Sequence, residues 1–169
     1  LQLYIEHPFA FDSMSETWRG SSPLTPRDIL EFDDYCAERG IELVPSVSTF
    51  GHLYMALRTQ SLRDLGEFPE TADEPFGFID RMHHHTLNIG DDRAFALSCR
   101  LIDDYLQLFR SNKFNICADE TFDLGKGRSK PLADRIGVAA MYADYVTRLC
   151  RHLEARGRRP MMWGDRKSV

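Results

Sequence analysis

No glycine-rich phosphate turn follows the first apolar segment, no basic stripe marks the chain, and no apolar run is long. Each absence narrows what these 169 residues can be. Without the phosphate turn, the usual opening of a doubly wound dinucleotide-binding sheet is missing. Without a basic block, and with a formal net charge of -5, nucleic acid is not the expected partner. The densest basic stretch, "RGRRP" at 156–160, fits a helix C-terminus meeting a turn, where cations suit the helix dipole. Apolar runs fall short of the ~20 residues that span a bilayer, so no membrane partner is expected. The four cysteines, Cys36, Cys99, Cys117 and Cys150, show no CxxC spacing. Buried free thiols in a reducing compartment follow, which favours a cytoplasmic location. A signal peptide is not visible, and the chain opens on "LQLYIEH", directly in a strand and without Met. That start suggests a piece of a longer protein.

What is present is an alternation. "LQLYIEH" (1–7), "IELVPSVS" (41–48), "KFNICADE" (113–120) and "RPMMWGD" (159–165) read as strands. "LTPRDILEFDDYCAERG" (24–40) reads as a helix, with Thr25 as N-cap, Pro26 in the first turn and Gly40 as stop. Ile29, Phe32, Tyr35 and Cys36 supply its apolar stripe. Residues 91–111 and 138–157 are two further amphipathic helices, while 8–23, 49–90 and 121–135 are long connections, with a short helix near 49–59. Connections from strand to helix are long and those from helix to strand are short. In a (β/α)8 barrel the long βα loops gather at the C-terminal mouth and build the active site. Four strands cannot close a barrel that typically takes ~250 residues. The expectation is an α/β chain forming part of a TIM barrel, a single domain over 1–169 with unpaired sheet edges that invite pairing in a homodimer.

Parallel strands would bring a compact set to that mouth: Glu6 and His7, Gly51 and His52, Asp119 and Glu120, Trp163 and Asp165. Each has a plainer reading. The acid pair could cap the next segment, His52 could be a turn residue, Trp163 could be core, and Glu6 could pair with a cation. In "RMHHHT" (81–86) consecutive histidines diverge on a loop, unlike ligands that share one face, so no metal site is expected there.

These motifs resemble glycoside hydrolase family 20, the β-N-acetylhexosaminidases, and within it a small hexosaminidase D-like branch. "KFNICADE" resembles the family's His-x-Gly-Gly-Asp-Glu signature, "ELVPSVSTFGH" its Pro-Glu-x-x-x-Pro-Gly-His stretch, and "MMWGD" its Trp-bearing strand end. Asn115 stands where the family has His, Cys117-Ala118 where it has two glycines, Ser46 where it has Glu and Phe50 where it has Pro.

The resemblance implies removal of terminal β-linked N-acetylhexosamine, from N-acetylglucosaminide or N-acetylgalactosaminide glycans, with no cofactor. Most retaining glycosidases set two carboxyl groups ~5–5.5 Å apart across the scissile bond, whereas this family lets the substrate acetamido group act as nucleophile. By resemblance Glu120 is general acid and then base, and Asp119 orients the acetamido group. His52 and Glu6 position the pair, Trp163 walls the acetamido pocket, and Asp165 contacts a hydroxyl. The family's arginine-bearing first strand and its late aromatic walls have no counterpart here, so the piece alone is expected to be inactive. Two alternatives stay open: a non-catalytic sugar-binding relative, and a metal-dependent barrel hydrolase with Glu6, His7, His52 and Asp119 as ligands.

Overall fold

The computed structural model describes residues 1–74 and 86–164. Gln2–Ile5 (β1), Val44–Val47 (β2), Lys113–Asn115 (β3) and Arg159–Met161 (β4) form one sheet, every pair parallel and in sequence order β1-β2-β3-β4. That order distinguishes the two architectures the alternation allowed. A doubly wound sheet reverses direction at a switch point, whereas a barrel adds each strand beside the last. Right-handed crossovers then place every helix on the same face.

Ser15–Trp18 (α1) is a single turn in the first connection, and Pro26–Ala37 (α2), Asp92–Leu106 (α3), Lys130–Ile136 (α4) and Val138–Glu154 (α5) follow. α2 starts where its sequence directs. Thr25 Oγ1 accepts the Asp28 N–H at 3.3 Å, and the Asp28 carboxylate accepts the Thr25 N–H at 2.7 Å, a reciprocal capping box. Gly40 and Gly157 take left-handed φ values of 68° and 70° just past their helices.

Ile5, Val47, Phe114 and Ile116 turn toward Leu97 and Leu101 of α3 and Tyr145 and Leu149 of α5, and together they form the core. The other face is polar. Asn115 Nδ2 donates to Gln2 Oε1 at 3.0 Å, Tyr4 reaches Ser48, and Ser46 lies 3.5 Å from the Cys117 sulfur.

Several expectations need correction. The third strand stops at Asn115 and not at residue 120, because the Asn115 side chain takes the Cys117 N–H at 2.8 Å and the chain turns left-handed at Cys117 and Ala118. α3 ends at Leu106, short of 111. Within 121–135, read as loop, Pro131 in the first turn and the Lys130–Asp134 ion pair support α4. α2 buries Ile29, Asp33 and Cys36, leaving Phe32 and Tyr35 exposed with the Arg39 guanidinium over the Tyr35 ring. All four cysteines are free, but Cys99 and Cys150 are only half-buried. The histidines at 83–85 lie outside the described residues.

The short helix-to-strand turns are pinned by charge. Arg158, from the basic stretch, donates to the Leu106, Phe109 and Ser111 carbonyls, and Glu42 accepts from Lys113 and Ser111. At the opposite end Glu67 joins the second and third of the long loops. It is buried, and its carboxylate accepts the Ser129 N–H at 2.9 Å and the Ser129 hydroxyl. A Cβ on Gly127 would lie 2.1 Å from the Glu67 carbonyl oxygen, so only glycine permits this approach. Burial pushes the Glu67 carboxyl up, against the pull of Ser129 and of the Gly125 and Gly127 amides. Glu67→Gln would turn an amide donor toward these N–H groups. We expect it to cost roughly 1–3 kcal/mol in urea unfolding; a loss below about 0.5 kcal/mol would show that the loops do not depend on this clamp.

Candidate active site

Parallel pairing in register brings the exits of β1, β2 and β3 together, with Tyr4 opposite Ser46 and Ser46 opposite Asn115. Just beyond these rows stand Glu6, His52, Asp119 and Glu120. His52 is the centre. Its Nδ1 lies 3.8 Å from Glu6 Oε1, and its Nε2 lies 3.5 Å from both Asp119 Oδ2 and Glu120 Oε2. One imidazole thus faces three carboxylates from two different strands. His7 Nε2 is 4.0 Å from the other Glu6 oxygen, and its ring packs edge-on to Tyr54.

Buried polar contacts hold these exits in place. The Thr49 hydroxyl donates to the Ile116 carbonyl at 2.8 Å, tying the β2 exit to β3. Ser98 on α3 donates to the Thr49 carbonyl at 2.5 Å and meets the Tyr145 hydroxyl of α5 at 2.8 Å. Tyr142, also on α5, donates to the Ala118 carbonyl at 2.9 Å, one residue before the acid pair. Gly51 permits the final approach: a Cβ there would sit 2.4 Å from the Asp119 carbonyl oxygen.

Among the described residues, the non-glycine residues with positive φ are His52 (55°), Cys117 (60°), Ala118 (67°) and Glu120 (49°). All four belong to this site. A left-handed L-residue costs roughly 1–2 kcal/mol, and such strain concentrates where geometry is needed for function. Cys117 and Ala118, the two positions where the resembling pattern has glycine, are left-handed here and so bear a strain that glycine would not.

Burial works against a charged His52, but Asp119, then Glu6 and Glu120, prevail and hold its pKa above the ordinary value of 6.5. A cation there offsets the mutual repulsion of three acids. Asp119 Oδ1 is buried and has no hydrogen-bond partner among the described residues. Trp163 is not core: it is 40% exposed, and its backbone N–H donates to the Cys117 carbonyl at 2.9 Å. Asp165 lies outside the described residues. Among the described residues no group of three or more His, Cys, Asp or Glu is arranged to hold a metal ion. Two contributors were absent from the sequence-based set, Tyr4 and Ser48. Alternation along the first strand, which puts Tyr4 on the same face as Glu6, was the available signal.

Because the folded pKa of His52 lies above 6.5, its charged form stabilises the fold fully below that value, and this contribution disappears as pH rises through the folded pKa. The stability advantage of wild type over His52→Asn in urea unfolding should therefore shrink as pH is raised above about 6.5. A constant difference would mean that the ring is held without charge.

The sequence profile of the glycosyl hydrolase family 20 catalytic domain matches residues 10–168. Hexosaminidase D of Bos taurus is 24% identical over 169 residues, 95% of this chain and 44% of its own length. Hexosaminidase D of Homo sapiens is 26% identical over 133 residues, 76% of this chain and 24% of its own. The chain thus spans less than half of either relative. Among solved structures, the β-N-acetylhexosaminidase of Bacteroides fragilis superposes with a TM-score of 0.75 at 18% identity, over 97% of this chain and 35% of that one. A mutant Streptomyces plicatus β-hexosaminidase in complex with its product GlcNAc gives 0.69 at 19% identity, over 96% and 32%. The likeness makes the four strands a run within a TIM barrel. With a catalytic-domain match over nearly its whole length, the protein belongs to glycoside hydrolase family 20.

Proposed function

We propose that this chain carries the acid centre of a glycosidase that removes terminal β-linked N-acetylhexosamine with retention, the substrate acetamido group serving as nucleophile. The observation that carries the proposal is the convergence of adjacent Asp119 and Glu120 on one nitrogen of His52, backed by Glu6. Glu120 and Asp119 stand on one side of the site, so they do not form the opposed pair an enzyme-derived nucleophile requires. Substrate assistance removes that requirement.

In the first step Glu120 gives its proton to the glycosidic oxygen as the bond to the anomeric carbon breaks. The acetamido carbonyl oxygen bonds to that carbon, and positive charge spreads onto the acetamido group. Asp119 answers that charge, with its buried unpartnered Oδ1 available to accept the acetamido N–H. In the second step Glu120 takes a proton from water as the water oxygen attacks the anomeric carbon and the bond from that carbon to the acetamido oxygen breaks, which restores the acetamido group and releases the sugar with retention. His52 orients both acids, and the exposed ring of Trp163 offers a wall for the acetamido methyl and the sugar face. N-acetylglucosaminides and N-acetylgalactosaminides are the substrate class. The relatives' names, and the GlcNAc product held by the Streptomyces plicatus enzyme, support that class.

Turnover of a chromogenic N-acetyl-β-hexosaminide by the full-length polypeptide tests this directly. We expect Glu120→Gln to lower kcat on substrates with poor leaving groups by roughly 10²–10⁴-fold, and far less on activated ones. Equal loss on both would remove Glu120 as the acid. Asp119→Asn should cost about 10²-fold on N-acetyl substrates, and unchanged turnover would remove its acetamido role. A parent enzyme inert toward every N-acetylhexosaminide would point instead to a sugar-binding relative.

A further inference from the structure

Glu6 sits between His52 and a second hydroxyl pair that the acid chemistry does not use. Tyr4, two residues earlier on the same face of β1, donates its hydroxyl hydrogen to Glu6 Oε1 at 2.9 Å. This is the oxygen that faces His52 Nδ1 at 3.8 Å. The Tyr4 oxygen also lies 3.2 Å from Ser48 Oγ. A phenol has one proton, so once that proton is committed to the carboxylate, Ser48 must be the donor to Tyr4. The contacts therefore run in one direction, from Ser48 to Tyr4 to Glu6, then to His52 and the acid pair. They cross from β2 to β1 and back to the β2 exit before reaching β3.

We propose that Tyr4 is a positioning residue of this site: its hydroxyl, oriented by Ser48, fixes the Glu6 carboxylate against His52, and so fixes the imidazole over Asp119 and Glu120. The inference rests on the acid pair being the reacting centre. A carboxylate at a strand exit rotates freely unless something holds it, and Glu6 is partly exposed, with His7 near its other oxygen at 4.0 Å. The hydrogen bond from Tyr4 selects the rotamer in which Oε1 faces the ring. Charged and titratable groups around this line are Glu6 and His7 at the β1 exit, Asp119 and Glu120 at the β3 exit, and the Cys117 thiol beside Tyr4. Burial pushes the Tyr4 phenol and the Cys117 thiol upward, so both stay neutral while His52 titrates. Tyr4 acts by direction and not by charge.

The test is the titration of the His52 ring in the full-length polypeptide, followed by NMR with labelled histidine and assigned by loss of the signal in His52→Asn. Tyr4→Phe keeps the ring and removes the hydroxyl. We expect the His52 titration midpoint to fall by roughly half a unit or more, and the arm of the kcat–pH profile that follows His52 to move with it, with little change in KM. Ser48→Ala should move both in the same direction by less, and it serves as the second variant if Tyr4→Phe fails to fold. An unmoved His52 midpoint in a folded variant overturns the inference, even where activity falls, because the loss would then not pass through Glu6. If the parent enzyme cleaves no N-acetylhexosaminide yet the midpoint shifts, the proposed reaction fails and the positioning role of Tyr4 stands.

Discussion

The site depends on one imidazole placed among three carboxylates. Glu6, Asp119 and Glu120 leave their strands toward a common point, and acids gathered in this way repel one another. His52 lies 3.5–3.8 Å from all three and supplies the charge that lets them share it. Nearly every other feature of the mouth serves that placement. Gly51 lets the β2 exit touch the β3 exit, Thr49 and Ser98 fasten it, and Tyr142 holds the backbone just before the acids. Remove the ring, and these contacts would hold together a cluster of like charges.

Adjacency of Asp119 and Glu120 is the feature that a regular strand could not deliver. Successive side chains on a strand point to opposite faces, so neighbouring acids would be separated by the sheet itself. Left-handed backbone at Cys117, Ala118 and Glu120 ends the strand geometry and lets both carboxylates reach the same nitrogen. That conformation costs roughly 1–2 kcal/mol for each L-residue. It persists because Phe114 and Ile116 beneath it are fully buried against α3 and α5, which leaves the chain no cheaper route. Geometry at the mouth thus draws on packing below it.

Much of this could be read from residue order. Loop-length asymmetry and the acids, histidine and tryptophan at strand exits pointed to a barrel mouth, because strand ends and punctuation are local signals. Other features were hidden for physical reasons. A helical stripe gives spacing but not the direction it faces, so Phe32 and Tyr35 of α2 looked buried when Asp33 holds the inner position instead. Seven residues of α4 were too few for a periodic signal. Left-handed Cys117 and Ala118 carry no mark in their side chains, which suit a strand. Alternation along the first strand sets Tyr4 beside Glu6, but its pairing with Ser48 spans 44 residues, and no local pattern encodes a contact of that range.

The polar face of the sheet explains why the cluster can be precise although its acids are partly exposed. Barrel interiors are typically filled by bulky branched residues whose packing fixes them. Here the corresponding rows carry Gln2, Tyr4, Ser46, Ser48, Asn115 and Cys117, joined strand to strand by the Asn115–Gln2, Tyr4–Ser48 and Ser46–Cys117 hydrogen bonds. Van der Waals packing tolerates small rotations, whereas a hydrogen bond weakens steeply as its angle opens. A face built this way transmits orientation, and Glu6, at its upper end, inherits it from Tyr4 and Ser48. Position at the mouth is therefore set from two sides: by the apolar core, which fixes where the backbone exits lie, and by the polar rows, which fix how the side chains turn once they leave.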